Sequence, residues 1–384
     1  MSREFFIPPK ILTGSGALDA LSPVISEYGS KALIVTGKTV ATLESFKKLT
    51  CILTENGVSY EVFSGITGEP DDTMIEQGAD IYKNSGCDFL IGIGGGSPLD
   101  SMKAIAVCCV SGKSICDYYR EVINEKLPPM IAIPTTAGTG SEATQFTVIT
   151  DSKNDVKMLL KGKCLIPDIA VVDGSLGVTS PKSITASTGL DALTHAVESY
   201  TSRRAQPLTD GICISAVKRI FKYLVRAYSD GTDIQAREEM SIAALEAGIA
   251  INNASVTIVH GMSRPIGALF HVPHGTSNAM LLSKCMAFAK DGAKERFADL
   301  GRAIGAADLK DSDEYAASAF IKALEEICKS CEIPTPEQYG IDKQSFMAHI
   351  EKMADDALAS GSPANTKKNV TKEDILKIYR SLYE

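Results

Sequence analysis

The chain has 384 residues, of which 44% are hydrophobic and 22% charged, and its formal net charge is −8 at pH 7. This length is too great for one ordinary hydrophobic core, so we expect two domains, and the composition is typical of a soluble globular protein. The negative charge argues against nucleic acid or an anionic membrane surface as the main partner.

The N-terminal residues MSREFFIPPK contain no apolar signal core, and no hydrophobic run approaches the length that spans a bilayer. We therefore expect a cytoplasmic protein with no membrane partner. The ten cysteines are scattered and mostly apolar in context, which favours buried thiols over a disulfide framework. The lone CxxC pair, Cys328 and Cys331, lacks the second pair that a zinc site would need.

The first half of the chain alternates short apolar runs with helical stretches that end in glycine. Five runs are predicted to be strands: KALIVTG (31–37), YEVFSGI (60–66), DFLIGIGGG (88–96), MIAIPTT (130–136) and IPDIAVVD (166–173). Such alternation predicts a parallel sheet with crossover helices. The segment from about 139 to 160 is predicted to form an additional hairpin.

After about residue 180 the strand pattern stops, and the periodicity is helical from Pro181 to Glu384. We therefore predict an α/β domain with a parallel sheet over residues 1–180. An all-α domain is predicted to follow over residues 181–384.

Two glycine-rich loops follow predicted strands of the α/β domain. Gly94–Ser97 follows the strand DFLIGI and precedes a helix that begins near Pro98. Glycines there allow close backbone approach to a pyrophosphate, and the helix N-terminus offers free N–H groups. This turn is not the GxGxxG fingerprint, and alone it is explained equally well as a tight strand-to-helix turn. A second polar loop, Thr135–Ser141, follows another strand, and two such loops in one sheet favour a bound dinucleotide.

Histidine is scarce, with five residues at positions 195, 260, 271, 274 and 349. Asp191 and His195 are four apart on a predicted helix, so their side chains project from one face. His260 begins and His274 closes the segment HGMSRPIGALFHVPH. Each pair alone is better explained by a hydrogen-bonded pair or a turn than by a metal site. Together, one carboxylate and three imidazoles make a four-ligand set for Fe²⁺, Zn²⁺ or a similar divalent ion.

These motifs resemble the iron-dependent, or group III, alcohol dehydrogenases, a family that includes lactaldehyde reductase and 1,3-propanediol dehydrogenase. The similarity covers essentially the whole chain, through FFIPPKILTGSGAL, GGGSPLDSMKAIA, IPTTAGTGSEAT, GLDALTHAVESY and HGMSRPIGALFHVPHGTSNAMLL. It implies metal-dependent hydride transfer between NAD(P)H and a small aldehyde or ketone, or the corresponding alcohol. It also implies that the α/β domain binds the dinucleotide and that the all-α domain binds the metal and the substrate. Family members usually form homodimers or larger homo-oligomers, so the same is expected here.

The resemblance also assigns site residues. It implies one divalent metal, Fe²⁺ by the family's habit and Zn²⁺ as the alternative, bound by Asp191, His195, His260 and His274. It implies pyrophosphate binding by Gly94, Gly95, Gly96 and Ser97, with Asp100 nearby. It implies contacts on the adenine and ribose side from Thr135, Thr136, Thr139 and Lys157.

Two positions depart from the family's pattern. Many NAD-preferring relatives carry an Asp where this chain has Gly37, and without it a 2′-phosphate is not repelled. Lys38 is close enough to assist, so both NAD(H) and NADP(H) are candidate coenzymes. Where many relatives carry a His, this chain has Arg264, which cannot relay a proton. Arg264 either pairs with an anionic group on a short aldehyde, such as a sulfonate or carboxylate, or braces the domain interface or a cofactor phosphate.

The predicted catalytic residues are Arg264 and His271. The proton could leave through His271, through water or through the ribose hydroxyl, and the sequence does not choose among these three routes. His271 is equally well explained as an ordinary packed residue. Two other functions stay open. A metal-dependent lyase of the dehydroquinate-synthase type shares the architecture but should carry more basic residues near its metal. A non-catalytic nucleotide-binding protein would contain no metal and would not turn over NAD(P)H.

Overall fold

The computed structural model describes residues 2–154 and 156–384. Met1 and Asp155, which fall in the predicted first domain and its hairpin, lie outside the described residues. The chain divides into two compact units, Phe6–Ser180 and Pro181–Glu384, the second including the N-terminal residues up to Phe5. The sequence assigns that N-terminal segment to the first domain. It groups with the second unit, where the backbone oxygen of Glu4 accepts a hydrogen bond from Gln206 Nε2 at 3.4 Å.

The unit Phe6–Ser180 has the predicted α/β class. Its strands are β1 Lys10–Thr13, β2 Lys31–Val35, β3 Ser59–Phe63, β4 Phe89–Gly94, β5 Met130–Pro134, β6 Phe146–Asp151, β7 Val156–Lys161 and β8 Ile169–Val172. Its helices are α1 Glu44–Glu55, α2 Asp72–Ser85 and α3 Gly96–Ser111. Strands β6 and β7 form a separate antiparallel pair, which is the predicted hairpin.

The other six strands form one parallel sheet in the order β1-β8-β5-β4-β2-β3. From β2 onward this is the doubly wound order in which the chain first moves to β3 and then crosses back past β2 to β4. Ligands of such sheets bind beyond the carboxyl ends of the strands, at the point where the strand order reverses. That point lies between β2 and β4, and Gly94 at the end of β4 is in register with Pro134 at the end of β5.

Alternate residues of the sheet strands pack into two cores, one on each face. Leu33, Val35 and Leu90 belong to one core, and Ile34 and Ile91 belong to the other. Burial on both faces explains why these strands are continuous apolar runs rather than alternating ones. The sheet therefore fixes the loops at its carboxyl edge on a rigid support.

The unit that begins at Pro181 is helical, and within its described residues no strand is assigned. Its helices are α4 Lys182–Thr201, α5 Pro207–Ser229, α6 Ile234–Asn253, α7 Ile258–Phe270, α8 His274–Ala289, α9 Lys294–Ala303, α10 Asp313–Ser330, α11 Pro336–Tyr339, α12 Lys343–Ala359 and α13 Lys372–Arg380. Helix α4 is central: it packs against α5, α6 and α8, and every residue from Gly189 to Thr201 is buried. Among the residues that the structure describes, no single helix is long and apolar enough to cross a membrane, and only α6 and α7 pass that test together, as a pair bent by 104°.

Candidate metal and nucleotide sites

Four side chains of the helical unit converge on one point, and they are the four that the sequence predicts as metal ligands. Asp191 and His195 come from α4, His260 from the first turn of α7, and His274 from the first residue of α8. One ligand atom from each lies within 4.8 Å of the others. Asp191 Oδ1 is 3.8 Å from Nε2 of both His195 and His260. It is 3.7 Å from Nε2 of His274.

These separations fit a divalent cation. In a tetrahedral site with bonds of about 2.1 Å, two ligand atoms are about 3.4 Å apart. The observed distances from Asp191 exceed that value by only a few tenths of an ångström. Side-chain movements of a few tenths of an ångström would therefore bring the four ligand atoms to bonding distance of one cation.

The protonation states of the cluster also suit a cation. Burial, together with the neighbouring His195, lowers the pKa of His260 well below its usual value, which favours the neutral imidazole that binds metals. Burial works to raise the pKa of Asp191, but the three imidazoles and a hydrogen bond from Asn278 outweigh it and hold the pKa below its usual value. The cluster is thus one carboxylate surrounded by imidazole nitrogens.

The two glycine-rich loops of the α/β unit contact each other at the carboxyl edge of the sheet. Thr135 N donates to the carbonyl oxygen of Gly94 at 2.8 Å. Gly94 has φ 149°, a conformation that favours glycine. A Cβ on Gly96 would lie 2.8 Å from Thr139 Cγ2, so only glycine allows the loops this approach. Helix α3 begins at Gly96, and its N-terminus faces this edge with free N–H groups.

The remaining predicted nucleotide residues lie around the same edge, but two of them are engaged by protein partners. Asp100 accepts hydrogen bonds from Ser141 Oγ at 2.6 Å and from Val148 N at 2.9 Å, so it ties α3 to the second loop. Lys157 Nζ forms an ion pair with Glu69 at 2.5 Å.

Two other predicted nucleotide residues follow β2, beside the point where the strand order reverses. Gly37 forms an isolated bridge with Gly65, and Lys38 comes directly after it. In the second loop, Thr136 lies 3.5 Å from where a Cβ on Gly95 would stand. Ser97 is in the first turn of α3. The sheet therefore brings both glycine loops and the β2 turn to one edge.

Family comparisons agree with this geometry. Residues 8–174 match the model described as iron-containing alcohol dehydrogenase. Residues 185–383 match the model described as Fe-containing alcohol dehydrogenase family, C-terminal. The chain belongs to the iron-containing alcohol dehydrogenase family. Members of this family are oxidoreductases of alcohols and aldehydes, so the predicted family and enzyme class are confirmed and the lyase and non-catalytic alternatives are set aside.

Similar proteins cover the whole chain. An NAD-dependent methanol dehydrogenase from Bacillus methanolicus is 35% identical over 98% of this chain and 99% of its own. A solved structure of 1,3-propanediol oxidoreductase has a TM-score of 0.96 at 31% identity and covers 100% of both chains. Sulfoacetaldehyde reductase from Bifidobacterium kashiwanohense, solved in complex with NAD⁺, has a TM-score of 0.89 at 28% identity, covering 100% of this chain and 99% of its own. The predicted fold class is therefore confirmed.

Glu198 contacts one of the four predicted metal ligands, although its sequence context did not single it out. It lies on α4, is fully buried, and its Oε2 is 2.5 Å from His260 Nδ1. Burial raises the pKa of Glu198, while hydrogen bonds from Thr257 and Val259 oppose that shift. Its helical spacing, three residues after His195, was the available signal.

Asn278 was also missed. It is fully buried on α8, and its Nδ2 lies 2.7 Å from Asp191 Oδ1 and 3.2 Å from Nε2 of His260 and of His274. Its position four residues after His274 puts both on one face of α8. Two further buried polar side chains, Glu198 and Asn278, therefore contact the four predicted ligands.

The two predicted catalytic residues lie outside the four-atom cluster. His271 is exposed and ends α7 in the left-handed conformation, with φ 52°. Arg264 Nη1 donates to Ser362 Oγ at 3.3 Å. Burial lowers the pKa of Arg264, and the nearby carboxylate of Glu198 opposes that shift. The roles of both residues stay predictions.

Proposed function

We propose that this chain is a metal-dependent alcohol dehydrogenase or aldehyde reductase in which Asp191, His195, His260 and His274 hold one divalent cation. The observation that carries the proposal is the distance from Asp191 Oδ1 to the three imidazole Nε2 atoms, 3.7 to 3.8 Å. Fe²⁺ is the ion that the family name suggests, and the ligand set also suits Zn²⁺.

The chemistry would be shared between bound groups and protein groups. When bound, the cation supplies Lewis-acid polarisation of the substrate oxygen, and the nicotinamide supplies or accepts the hydride. The single carboxylate of Asp191 would offset only part of the charge of a divalent cation, which leaves net positive charge where negative charge develops on that oxygen. His271, exposed at the end of α7, is the proposed route by which a proton exchanges with water.

The coenzyme is proposed to bind at the carboxyl edge of the sheet. Gly94–Ser97 and the N-terminus of α3 would receive the pyrophosphate. Gly37 brings no carboxylate to the β2 turn, so both NAD(H) and NADP(H) are proposed coenzymes. A homodimer or larger homo-oligomer and a cytoplasmic location also stay predictions.

The proposed substrate is a short aldehyde that carries a sulfonate or carboxylate, or the corresponding alcohol. Arg264 lies one helical turn after His260, so its guanidinium is on the same side of α7 as this ligand. The guanidinium has five N–H donors, and the hydrogen bond to Ser362 uses one of them. The structural relative named sulfoacetaldehyde reductase supports this substrate class.

The test uses chelated protein reconstituted with Fe²⁺ or Zn²⁺ and an aldehyde panel, with NADH and NADPH oxidation followed by absorbance. Propanal represents neutral substrates, and sulfoacetaldehyde and succinic semialdehyde represent charged ones. We expect no turnover without metal and recovery on reconstitution. Metal-free protein as active as the untreated enzyme would refute the metal proposal.

Arg264→Ala, assayed on the same panel, tests the substrate class. Loss of a charge-assisted hydrogen bond of about 1.5–3 kcal/mol should lower kcat/KM roughly 10- to 100-fold on the charged aldehydes. Propanal turnover should be much less affected. An equal loss on charged and neutral aldehydes would remove the anionic-substrate proposal and leave the metal proposal untouched.

A further inference from the structure

Helix α4 presents a third side chain beside its two predicted ligands. Asp191, His195 and Glu198 occupy positions i, i+4 and i+7, so they line one face of the helix. Asp191 and His195 belong to the predicted ligand set, and Glu198 reaches across to His260 on α7. One helix therefore supplies two predicted ligands and contacts a third.

The two ring nitrogens of His260 face different partners. Nδ1 lies 2.5 Å from Glu198 Oε2, and Nε2 faces Asp191 Oδ1 at 3.8 Å. Glu198 already accepts two hydrogen bonds through Oε1, so we take it as an acceptor toward His260 as well, which puts the proton of a neutral imidazole ring on Nδ1. The lone pair is then on Nε2, which points into the predicted metal cluster.

The carboxylate of Glu198 is itself held in place. Its Oε1 accepts hydrogen bonds from Thr257 Oγ1 and from Val259 N, both at 2.7 Å. Val259 N is one of the N–H groups that the start of α7 leaves without an intrahelical partner. Glu198 therefore fixes the first turn of α7 and, on that turn, the ring of His260.

We propose that Glu198 is a positioning residue, which orients His260 and keeps its proton on Nδ1 so that Nε2 is available to the metal. This inference rests on the proposed metal site. Hydrogen-bond partners of metal-bound histidines fix the tautomer and ring orientation, and their loss typically costs 10- to 100-fold in metal affinity.

The informative substitution is Glu198→Gln, which preserves the side-chain volume but replaces one acceptor by an N–H₂ donor. If that donor faces His260, it moves the imidazole proton to Nε2, the form that cannot bind the cation. If it faces Thr257 and Val259, it meets two donors at the start of α7. We therefore expect the affinity for Zn²⁺, measured by chelator competition, to fall about 10- to 100-fold.

The matched control is Glu246→Gln, the same exchange on α6, where the carboxylate accepts from Ser215 Oγ at 2.8 Å and lies outside the predicted ligand set. It should keep the wild-type Zn²⁺ affinity. Equal affinities of wild type and Glu198→Gln would overturn the positioning role while leaving the metal site in place. Wild-type protein that binds no Zn²⁺ would refute the metal site and this inference together.

A second readout does not depend on the folding of the Glu198 variant. Selective ¹⁵N labelling of the five histidines of the Zn²⁺-loaded wild type reports the protonation of each ring nitrogen. The signal of His260 is identified by its absence in His260→Ala. We expect the proton on Nδ1, and a His260 ring with no proton on that nitrogen would overturn the proposal.

Discussion

Replacing Gly275 by alanine should disrupt the predicted metal site through backbone packing, without replacing any predicted ligand. Gly275 follows His274 in the first turn of α8 and lies against the backbone of α4. A Cβ there would overlap the carbonyl oxygen of Ser187 and would stand 2.8 Å from its carbonyl carbon. Ordinary carbon–carbon contacts are about 3.5–4.0 Å, so the two helices must separate locally by roughly 0.7 Å or more.

That displacement is large for a metal site. Ligand distances must lie within about 0.2 Å of their preferred values, and α8 carries His274 while α4 carries Asp191 and His195. We therefore expect Gly275→Ala to lower the Zn²⁺ affinity by about tenfold or more, equivalent to about 1.4 kcal/mol. Overpacking should also destabilise the metal-free protein by about 1–3 kcal/mol.

The assay measures both quantities separately, Zn²⁺ affinity by chelator competition and stability by denaturant unfolding of metal-free protein. Gly211→Ala is the control, because Gly211 lies in the second turn of α5 and a Cβ there would meet no atom within 4 Å. That variant should keep its metal affinity and gain up to about 1 kcal/mol of stability. A Gly275→Ala protein with wild-type Zn²⁺ affinity would refute the reasoning.

Two further substitutions test the α/β unit. Gly37→Asp should lower kcat/KM with NADPH relative to NADH by about tenfold or more, because repulsion between a carboxylate and the 2′-phosphate would weaken transition-state binding by at least about 1.4 kcal/mol. Equal effects on both coenzymes would contradict this prediction. So would the same change in the uncharged control Gly37→Asn. Lys103→Met should destabilise the protein by about 3 kcal/mol in denaturant unfolding. The reason is that Lys103 is fully buried and its Nζ donates to the carbonyl oxygens of Ser141, Thr144 and Phe146 at 2.7 to 2.9 Å. A loss of stability below about 1 kcal/mol would contradict a stabilising role for these hydrogen bonds.

The five strands that the sequence predicts are all present. Four of them, β2, β4, β5 and β8, are nearly continuous apolar runs because the sheet buries them on both faces, whereas β3 is a partly exposed edge strand. Strand β1, Lys10–Thr13, could not be predicted from the sequence, since four partly exposed residues at the edge of a sheet leave almost no pattern. β1 becomes a strand only through pairing with β8, more than 150 residues later in the chain. Such a pairing is a property of the tertiary fold and not of the local sequence.

The convergence of the four predicted ligands could be anticipated because histidine is rare in this chain and Asp191 and His195 share a helical spacing. Glu198 and Asn278 could not be anticipated in this way, although both are at helical spacing from a predicted ligand. Buried Glu and Asn are ordinary helix residues until a partner is known, and Glu198 finds its partner on α7. The contact depends on how two helices pack, which periodicity along one helix does not report.

Helix α4 is buried at every residue from Gly189 to Thr201, and we expect this burial to influence which ions the predicted metal site accepts. Asp191, His195 and Glu198 lie on this one buried helix, so we expect their backbone positions to shift only together. His260 and His274 stand on the first turns of two other helices, and only these two can adjust separately to ions of different radius. We therefore expect the tolerance of the predicted site for ions of different radius to depend on the starts of α7 and α8.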